Sequence, residues 1–507
     1  MSFTSLSFII FMAVLVIVYY IIPKKLQWIL LLIASCGFYI YGGGKTILYL
    51  LFVAGTTYCA GLILSKLNED KKANIKKRKL VVLLLCLINF GLLYIVKYLS
   101  FTAEVINSIA KTSLTVPNLL MPVGISFFMF QSVGYVIDCY RGKYKAERNF
   151  AKYLLFVSFF PQIIQGPIGR FNLLAPQLLG EHKLDYDNIK YGIQLALWGY
   201  FKKLVIAERV ASMVSTVYNN YYSYSGSVLA VATIGYSIQL YCDFSGGIDI
   251  TRGVAQMLSI NMSENFKRPI FANTLTEYWR RWHITLGSWM RDYVFYPMAL
   301  SSPMRKVGSF ARNHFGGVMG KIFATSVITF TIYFIIGIWH GANFRYIAYG
   351  FYNGILITSG LLLEPIFVKL REKVNIDFKG KLWRVFQVIR TCFIVFIGRY
   401  ITRAPRLLAA FYMIKTTFLN FNYADIFNGT LLNLSMSFFD YMVVIIGMII
   451  VIAVEAYQEM GGKARKALEK KPAIIQFCVL MFALITIVGL GAMGSNYVEA
   501  EFIYAQF

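Results

Sequence analysis

Residues 80–96 contain no charged side chain, and neither do residues 26–41, 441–454 and 474–493. Each run approaches the roughly 20 apolar residues that carry a helix across about 30 Å of hydrocarbon. Applied along the chain, that criterion finds about thirteen candidate runs. The others centre on residues 8–22, 47–63, 119–137, 153–164, 189–206, 228–241, 322–339, 346–363 and 385–397. The run at 153–164 is too short for a full crossing, with Pro161 near its end and Gly166-Pro167 just beyond it. It reads as a re-entrant segment, which is tolerable only where its backbone is buried in protein or lines a cavity. The first run lacks the basic flank and small-residue cleavage site of a secretory signal, so it is expected to remain in the protein.

Composition excludes a soluble domain. Hydrophobic residues are 58% of the 507 and charged residues 15%, where a globular chain carries about a quarter. The charge is nonetheless strongly basic, 50 Lys plus Arg against 24 Asp plus Glu, for a formal +26. The base sits in short clusters between the apolar runs, which argues against a nucleic-acid footprint. Lys24 and Lys25 follow the first run, residues 66–79 hold seven basic side chains against Glu69 and Asp70, and Arg141, Lys143, Lys145 and Arg148 form a third cluster. Residues 463–471 are basic again, whereas only glutamates carry charge after Met493. Basic loops stay in the cytoplasm, so both ends are expected outside, with about twelve crossings if 153–164 is re-entrant. The expected fold is all-α and polytopic: about twelve transmembrane helices, with re-entrant and interfacial helices, around a central polar cavity. It is read as one membrane-embedded domain over residues 1–507.

Several patterns resemble reactive motifs without their context. Gly489-Leu490-Gly491-Ala492-Met493-Gly494 has dinucleotide-binding spacing but ends an apolar run. Gly42-Gly43-Gly44-Lys45-Thr46 lacks the first glycine of a phosphate loop, a position held by Tyr39. The seven cysteines stand singly, at 36, 59, 86, 139, 242, 392 and 478, with no metal or redox spacing, and read as small buried hydrophobes. No metal site is expected.

The informative residues are polar ones in apolar surroundings. Of four histidines, His182 and His314 lie in charged loops. His340 closes a run that is uncharged from Ile322, as Trp339-His340-Gly341-Ala342-Asn343. An imidazole there serves a reaction, or it is a satisfied residue at a helix end that Gly341 terminates. His283 lies in residues 273–297, where Leu275, Trp279, Trp282, Leu286, Trp289 and Tyr293 recur at helical spacing and Glu277 and Arg281 stand at i and i+4. That pattern predicts an interfacial, aromatic-rich helix whose arginines meet lipid phosphates or the phosphates of a bound donor. A third patch, Gln239 to Asp249, carries Asp243, Asp249 and the pair Gly246-Gly247, and predicts a broken helix facing protein or water. Gln131, Asp138, Gln162 and Gln165 add further polar atoms. They line a cavity, or they pair helix to helix.

These motifs in this order resemble the membrane-bound O-acyltransferases, in particular the bacterial branch that acetylates alginate and D-alanylates teichoic acid. The resemblance rests on Pro122-Val123-Gly124-Ile125-Ser126-Phe127-Phe128, residues 135–143, and Phe156-Val157-Ser158-Phe159-Phe160-Pro161-Gln162 with Gly166-Pro167 and Arg170. It continues through Asp243-Phe244-Ser245-Gly246, Trp279-Arg280-Arg281-Trp282-His283-Ile284-Thr285-Leu286, Arg291-Asp292-Tyr293 and Trp339-His340-Gly341-Ala342. It covers most of the chain, with a family core at roughly 119–363. The ending Glu501-Phe502-Ile503-Tyr504-Ala505-Gln506-Phe507 is more similar to the acetylating members. The chain departs at Met298-Ala299-Leu300-Ser301-Ser302, where members are often glycine-rich, at Gly287, where a serine is common, and at Gly169, where a larger residue is common.

The resemblance implies an acyltransferase in which His340 is the catalytic histidine and general base, and His283 positions or polarises an acyl group. Trp339 and Asn343 would shape the site, Arg281 would meet donor phosphate or pair with Glu277, and Asp243 would contribute to substrate binding. Acyl transfer to a hydroxyl needs a base of near-neutral pKa, which imidazole supplies. The implied co-substrate is a thioester, acetyl-CoA or an acyl carrier protein, with no tightly bound cofactor. The implied partners are membrane lipid, an extracytoplasmic acetyltransferase and a cell-surface polysaccharide. D-alanyl transfer from a carrier protein to teichoic acid is the nearest alternative. A glycan or lipid transporter is an alternative of another class, disfavoured because no paired interrupted spans recur.

Overall fold

The computed structural model describes residues 2–492 apart from 118, 164 and 375–379. The acidic tail after Met493, with its ending at 501–507, lies outside the described residues. Among those described, the regular elements are helices, and the one extended pairing is a single antiparallel bridge between Phe266 and Trp282.

Eight helical stretches among the described residues are long and apolar enough to cross a membrane. They are Lys24–Leu67, Ile75–Lys97, Gly226–Met257, Ser302–His340, Phe344–Lys373, Lys381–Arg403, Phe438–Glu459 and Ala473–Leu490. The first contains two helices, Gln27–Gly43 and Ile47–Leu67, and Leu6–Ile21 and Leu407–Leu419 are shorter apolar helices. Several expected runs do not qualify because they are interrupted. The run at 119–137 is helical from Ile125, and that at 189–206 is Tyr186–Tyr200 followed by a π-helical turn, Phe201–Ala207. The run at 153–164 breaks into Phe150–Ser158 and Phe160–Ile163, restarting with Pro161 in the first turn, where its missing N–H costs nothing. Outward faces are apolar: Leu83 and Leu87, Ile445 and Ile449, and Phe482 and Ile485 are all exposed. Apolar surface on this scale suits hydrocarbon rather than water.

The chain forms two compact units, one of Met1–Leu204, Asp243–Glu264 and Arg465–Phe507, the other of Val205–Cys242 and Asn265–Ala464. In the first, glycines let two helices touch backbone to backbone. A Cβ on Gly199 would lie 2.5 Å from the Gly246 carbonyl oxygen, and one on Gly192 would lie 2.6 Å from that of Gly253. This corrects the reading of residues 239–249 as a broken helix. Gly226–Met257 is one uninterrupted helix, because Gly246 and Gly247 serve close packing against Gly199 and Gln165 instead of a chain reversal.

In the second unit, Ser302–His340 and Phe344–Lys373 form a hairpin. The first arm is itself broken at Gly316, whose φ of 83° only glycine adopts readily. The hairpin arms close on a glycine seam: a Cβ on Gly337 would stand 2.6 Å from the Tyr346 carbonyl oxygen and 2.9 Å from the Gly350 Cα. His340 is therefore held at the apex of two helices that cannot slide without collision. The single interfacial helix expected over 273–297 is corrected too. Leu275–Arg281 and Ile284–Met290 are separate helices, and Trp282, Leu286, Trp289 and Tyr293 are buried in protein.

Candidate functional site

The break between those helices falls on His283, whose backbone is left-handed at φ 50° and ψ 53°. Such a conformation is uncommon outside glycine and persists where the surroundings enforce it. Here residues 265–268 enforce it. The Ile284 N–H donates to the Asn265 carbonyl at 3.0 Å, the Lys267 N–H donates to the Arg281 carbonyl at 2.9 Å, and the bridge of Phe266 with Trp282 lies between. The Asn265 side chain continues the clamp. Its Oδ1 accepts the Thr285 N–H at 3.0 Å and the Thr285 hydroxyl at 2.8 Å, and lies 3.2 Å from His283 Nδ1.

His340 arrives from the hairpin. Ser302–His340 ends on it, Gly341 is the stop, and a Cβ on Gly341 would lie 2.6 Å from the Tyr346 ring. The Trp339 indole is adjacent to both imidazoles, with ring centroids 6.0 Å from His283 and 5.0 Å from His340. Tyr346 and Tyr349 each stand 6.3 Å from the His340 ring. His283 is 2% exposed, Trp339 6% and His340 7%, so the cluster lies inside the unit. Burial, and after it the neighbouring His340, push the His283 imidazole down to about 3. It is neutral at physiological pH.

The remaining expected residues have partners of their own. Asn343 caps Phe344–Lys373, its side-chain oxygen accepting the Arg345 N–H at 3.1 Å. Arg281 pairs with Glu277 as its spacing suggested, and also with Glu459 through Nη1 and Nη2, both at 3.0 Å. Glu459 additionally accepts from Arg268 at 2.7 Å, so Arg281 belongs to an ion-pair network. Asp243 belongs to the first unit, where its carboxylate meets Lys203 at 2.5 Å, while Lys202 bonds Asp249 at 2.7 Å and Ser245 at 2.9 Å. Gln131 pairs helix to helix, bonding the Phe156 carbonyl and, at 3.3 Å, Gln162 Oε1, whereas Gln162 itself donates locally to the Pro167 carbonyl. Among the described residues, no group of His, Cys, Asp and Glu is placed to hold a metal.

Sequence reasoning did not single out Asn265, Thr285 as an Asn265 partner, or Glu459. Each is an ordinary polar residue in sequence, and its partner is far away along the chain. Arg399 is similar: buried, it lies 5.0 Å over the Trp282 ring and donates to the Tyr278 hydroxyl at 2.6 Å, bracing the same break.

Helices with apolar outward faces that enclose imidazoles in protein are the architecture of a polytopic membrane protein. The sequence comparisons say which kind: the chain belongs to the membrane-bound O-acyltransferase family, whose sequence model matches residues 145–402. It is 30% identical to alginate O-acetylase AlgI of Pseudomonas aeruginosa over 428 residues, 82% of this chain and 75% of that one. It is 29% identical to the peptidoglycan O-acetyltransferase of Helicobacter pylori over 354 residues, 65% and 63% of the two chains. With the teichoic acid D-alanyltransferase of Bacillus subtilis it shares 27% identity over 288 residues, 56% and 69%. The family assignment makes this chain an acyltransferase and a multi-pass membrane protein.

Proposed function

We propose that this acyltransferase moves an acetyl group from a cytoplasmic thioester, acetyl-CoA or an acyl carrier protein, toward hydroxyls of a cell-surface polysaccharide, with His340 as general base. The observation that carries the reading is the pair of buried imidazoles beside Trp339, one of them at the apex of a glycine-locked hairpin. In the proposed step the acceptor O–H gives its proton to the His340 imidazole as the oxygen attacks the thioester carbon. The C–O bond forms, the C–S bond breaks, and the imidazolium returns the proton to the departing thiolate. His283 positions the reacting groups and Trp339 closes the space between the rings. We place both chain ends outside, and an extracytoplasmic protein completes delivery to the polymer.

Acetyl is preferred over D-alanyl because similarity to an alginate O-acetylase spans 82% of the chain, against 56% for a D-alanyltransferase. Membranes containing the protein, supplied with labelled acetyl-CoA, test this. His340→Ala is expected to cut transfer by about 10²- to 10⁴-fold, the usual worth of a general base. Full activity in that variant removes His340 from the mechanism. Analysis of surface glycans from a deletion strain separates lost acetyl from lost D-alanyl esters.

A further inference from the structure

The hydrogen bonds around Asn265 define the protonation pattern of His283. A backbone N–H can only donate, so the Asn265 atom that receives the Thr285 N–H at 3.0 Å is the amide oxygen, and the amide cannot be flipped. The Thr285 hydroxyl adds a second donor to the same oxygen at 2.8 Å. His283 Nδ1 lies 3.2 Å from that oxygen, and an oxygen has no proton to give. Nδ1 must therefore carry the hydrogen. A neutral imidazole has one N–H, so the lone pair is on Nε2.

We infer that Asn265 is the positioning residue of the site, holding His283 in the Nδ1–H tautomer so that Nε2 faces the reaction as a hydrogen-bond acceptor. The inference rests on the reading of His283 as part of the acyl-transfer site. It also narrows that reading. A ring without hydrogen on Nε2 cannot polarise an acyl carbonyl by donation, so of the two roles, positioning and polarising, it leaves His283 the first.

The surroundings fit this purpose. Asn265 is fully buried and its Nδ2 amino group finds no acceptor among the described residues, an expense for a buried amide. Its Oδ1 meanwhile serves three donors from the segment that carries His283, and its own carbonyl takes the Ile284 N–H. Both halves of the residue therefore grip the left-handed turn, fixing ring orientation together with ring protonation. The arrangement parallels the outer partners that set the tautomer of reactive and metal-bound histidines elsewhere.

The test uses full-length protein in lipid nanodiscs, labelled with [15N]histidine, and compares wild type, Asn265→Leu and Asn265→Asp. The His283 signals are assigned by difference from His283→Gln. Expected in wild type are a protonated, pyrrole-type Nδ1 and an unprotonated, pyridine-type Nε2. Asn265→Leu should give a mixed or reversed pattern and lower kcat about 10- to 100-fold with little change in KM. Asn265→Asp keeps the acceptor, so it should keep the tautomer, recover most of the kcat, and move the acid limb of the pH profile upward. A purely structural residue would not produce that rescue and shift together. Nε2–H in wild type, or an unchanged His283 spectrum in folded Asn265→Leu, overturns the inference. Retained activity in His340→Ala would remove the proposed base while leaving the His283 spectrum as evidence on its own.

Discussion

Arg281 separates two explanations of the same motif, because a guanidinium that binds donor phosphate and one that braces the fold respond differently to removal. In the structure it donates to Glu277 at 3.0 and 2.6 Å and to Glu459 at 3.0 Å through two nitrogens. Charged hydrogen bonds contribute about 1.5–3 kcal/mol apiece, and breaking a buried pair costs about 3–5 kcal/mol when a charge is left uncompensated. Arg281→Ala does not leave Glu459 uncompensated, because Arg268 stays at 2.7 Å and Arg384 at 3.5 Å. The expected loss is therefore smaller, about 2–3 kcal/mol, or several degrees of melting temperature in a unit of this size. Tryptophan-fluorescence melting in detergent, read beside the KM for the thioester donor well below the melting range, measures both consequences. The bracing role predicts a lower melting temperature and a KM within about threefold of wild type. An unchanged melting temperature with a KM raised tenfold would return Arg281 to phosphate binding and refute the network argument.

Gly337→Leu should part the hairpin arms and displace His340, cutting transfer about 100-fold or more at matched protein level. Gly360→Leu on the second arm, where a Cβ meets nothing within 4 Å, should leave transfer unchanged, and equal effects of the two would discard the seam. His283 also predicts a pH dependence of stability. Its folded pKa of about 3 lies below the ordinary 6.5, so between those values the unfolded chain binds more protons. Its contribution is fully present above pH 6.5 and is lost as pH falls toward 3, by roughly 2 kcal/mol at pH 5. Melting curves from pH 8 to 5 should fall more steeply for wild type than for His283→Gln, and parallel curves would contradict the burial argument.

The membrane character and helical class were legible because uninterrupted apolar runs admit few alternatives. His283 and His340 were legible because an imidazole in apolar surroundings is conspicuous, and family motifs flank both. The helix breaks were less legible, since glycine supports two opposite outcomes. Gly246-Gly247 permits close packing inside a continuous helix, whereas Gly316 at φ 83° reverses the chain. The aromatic periodicity from Leu275 to Tyr293 was real, but it could not reveal that His283 leaves the helix, because the cause is Asn265 on another segment. Arg281 and Asp243 had sequence signals common to ligand-binding and ion-paired residues. Their partners Glu459 and Lys203 lie 178 and 40 residues away along the chain, so the ion pairs could not be read from spacing.

The two histidines sit in different local settings. His340 ends a helix that packs on the next one along a glycine seam. The proposed role as base asks that ring to gain and return a proton within a single turnover. His283 is held by hydrogen bonds that depend on its protonation, since Asn265 Oδ1 accepts from Nδ1 only when Nδ1 carries hydrogen. A ring anchored in this way resists tautomeric exchange, and its burial resists a second proton. On the proposed roles, loss of His340 should remove proton transfer whereas loss of His283 should chiefly disturb alignment.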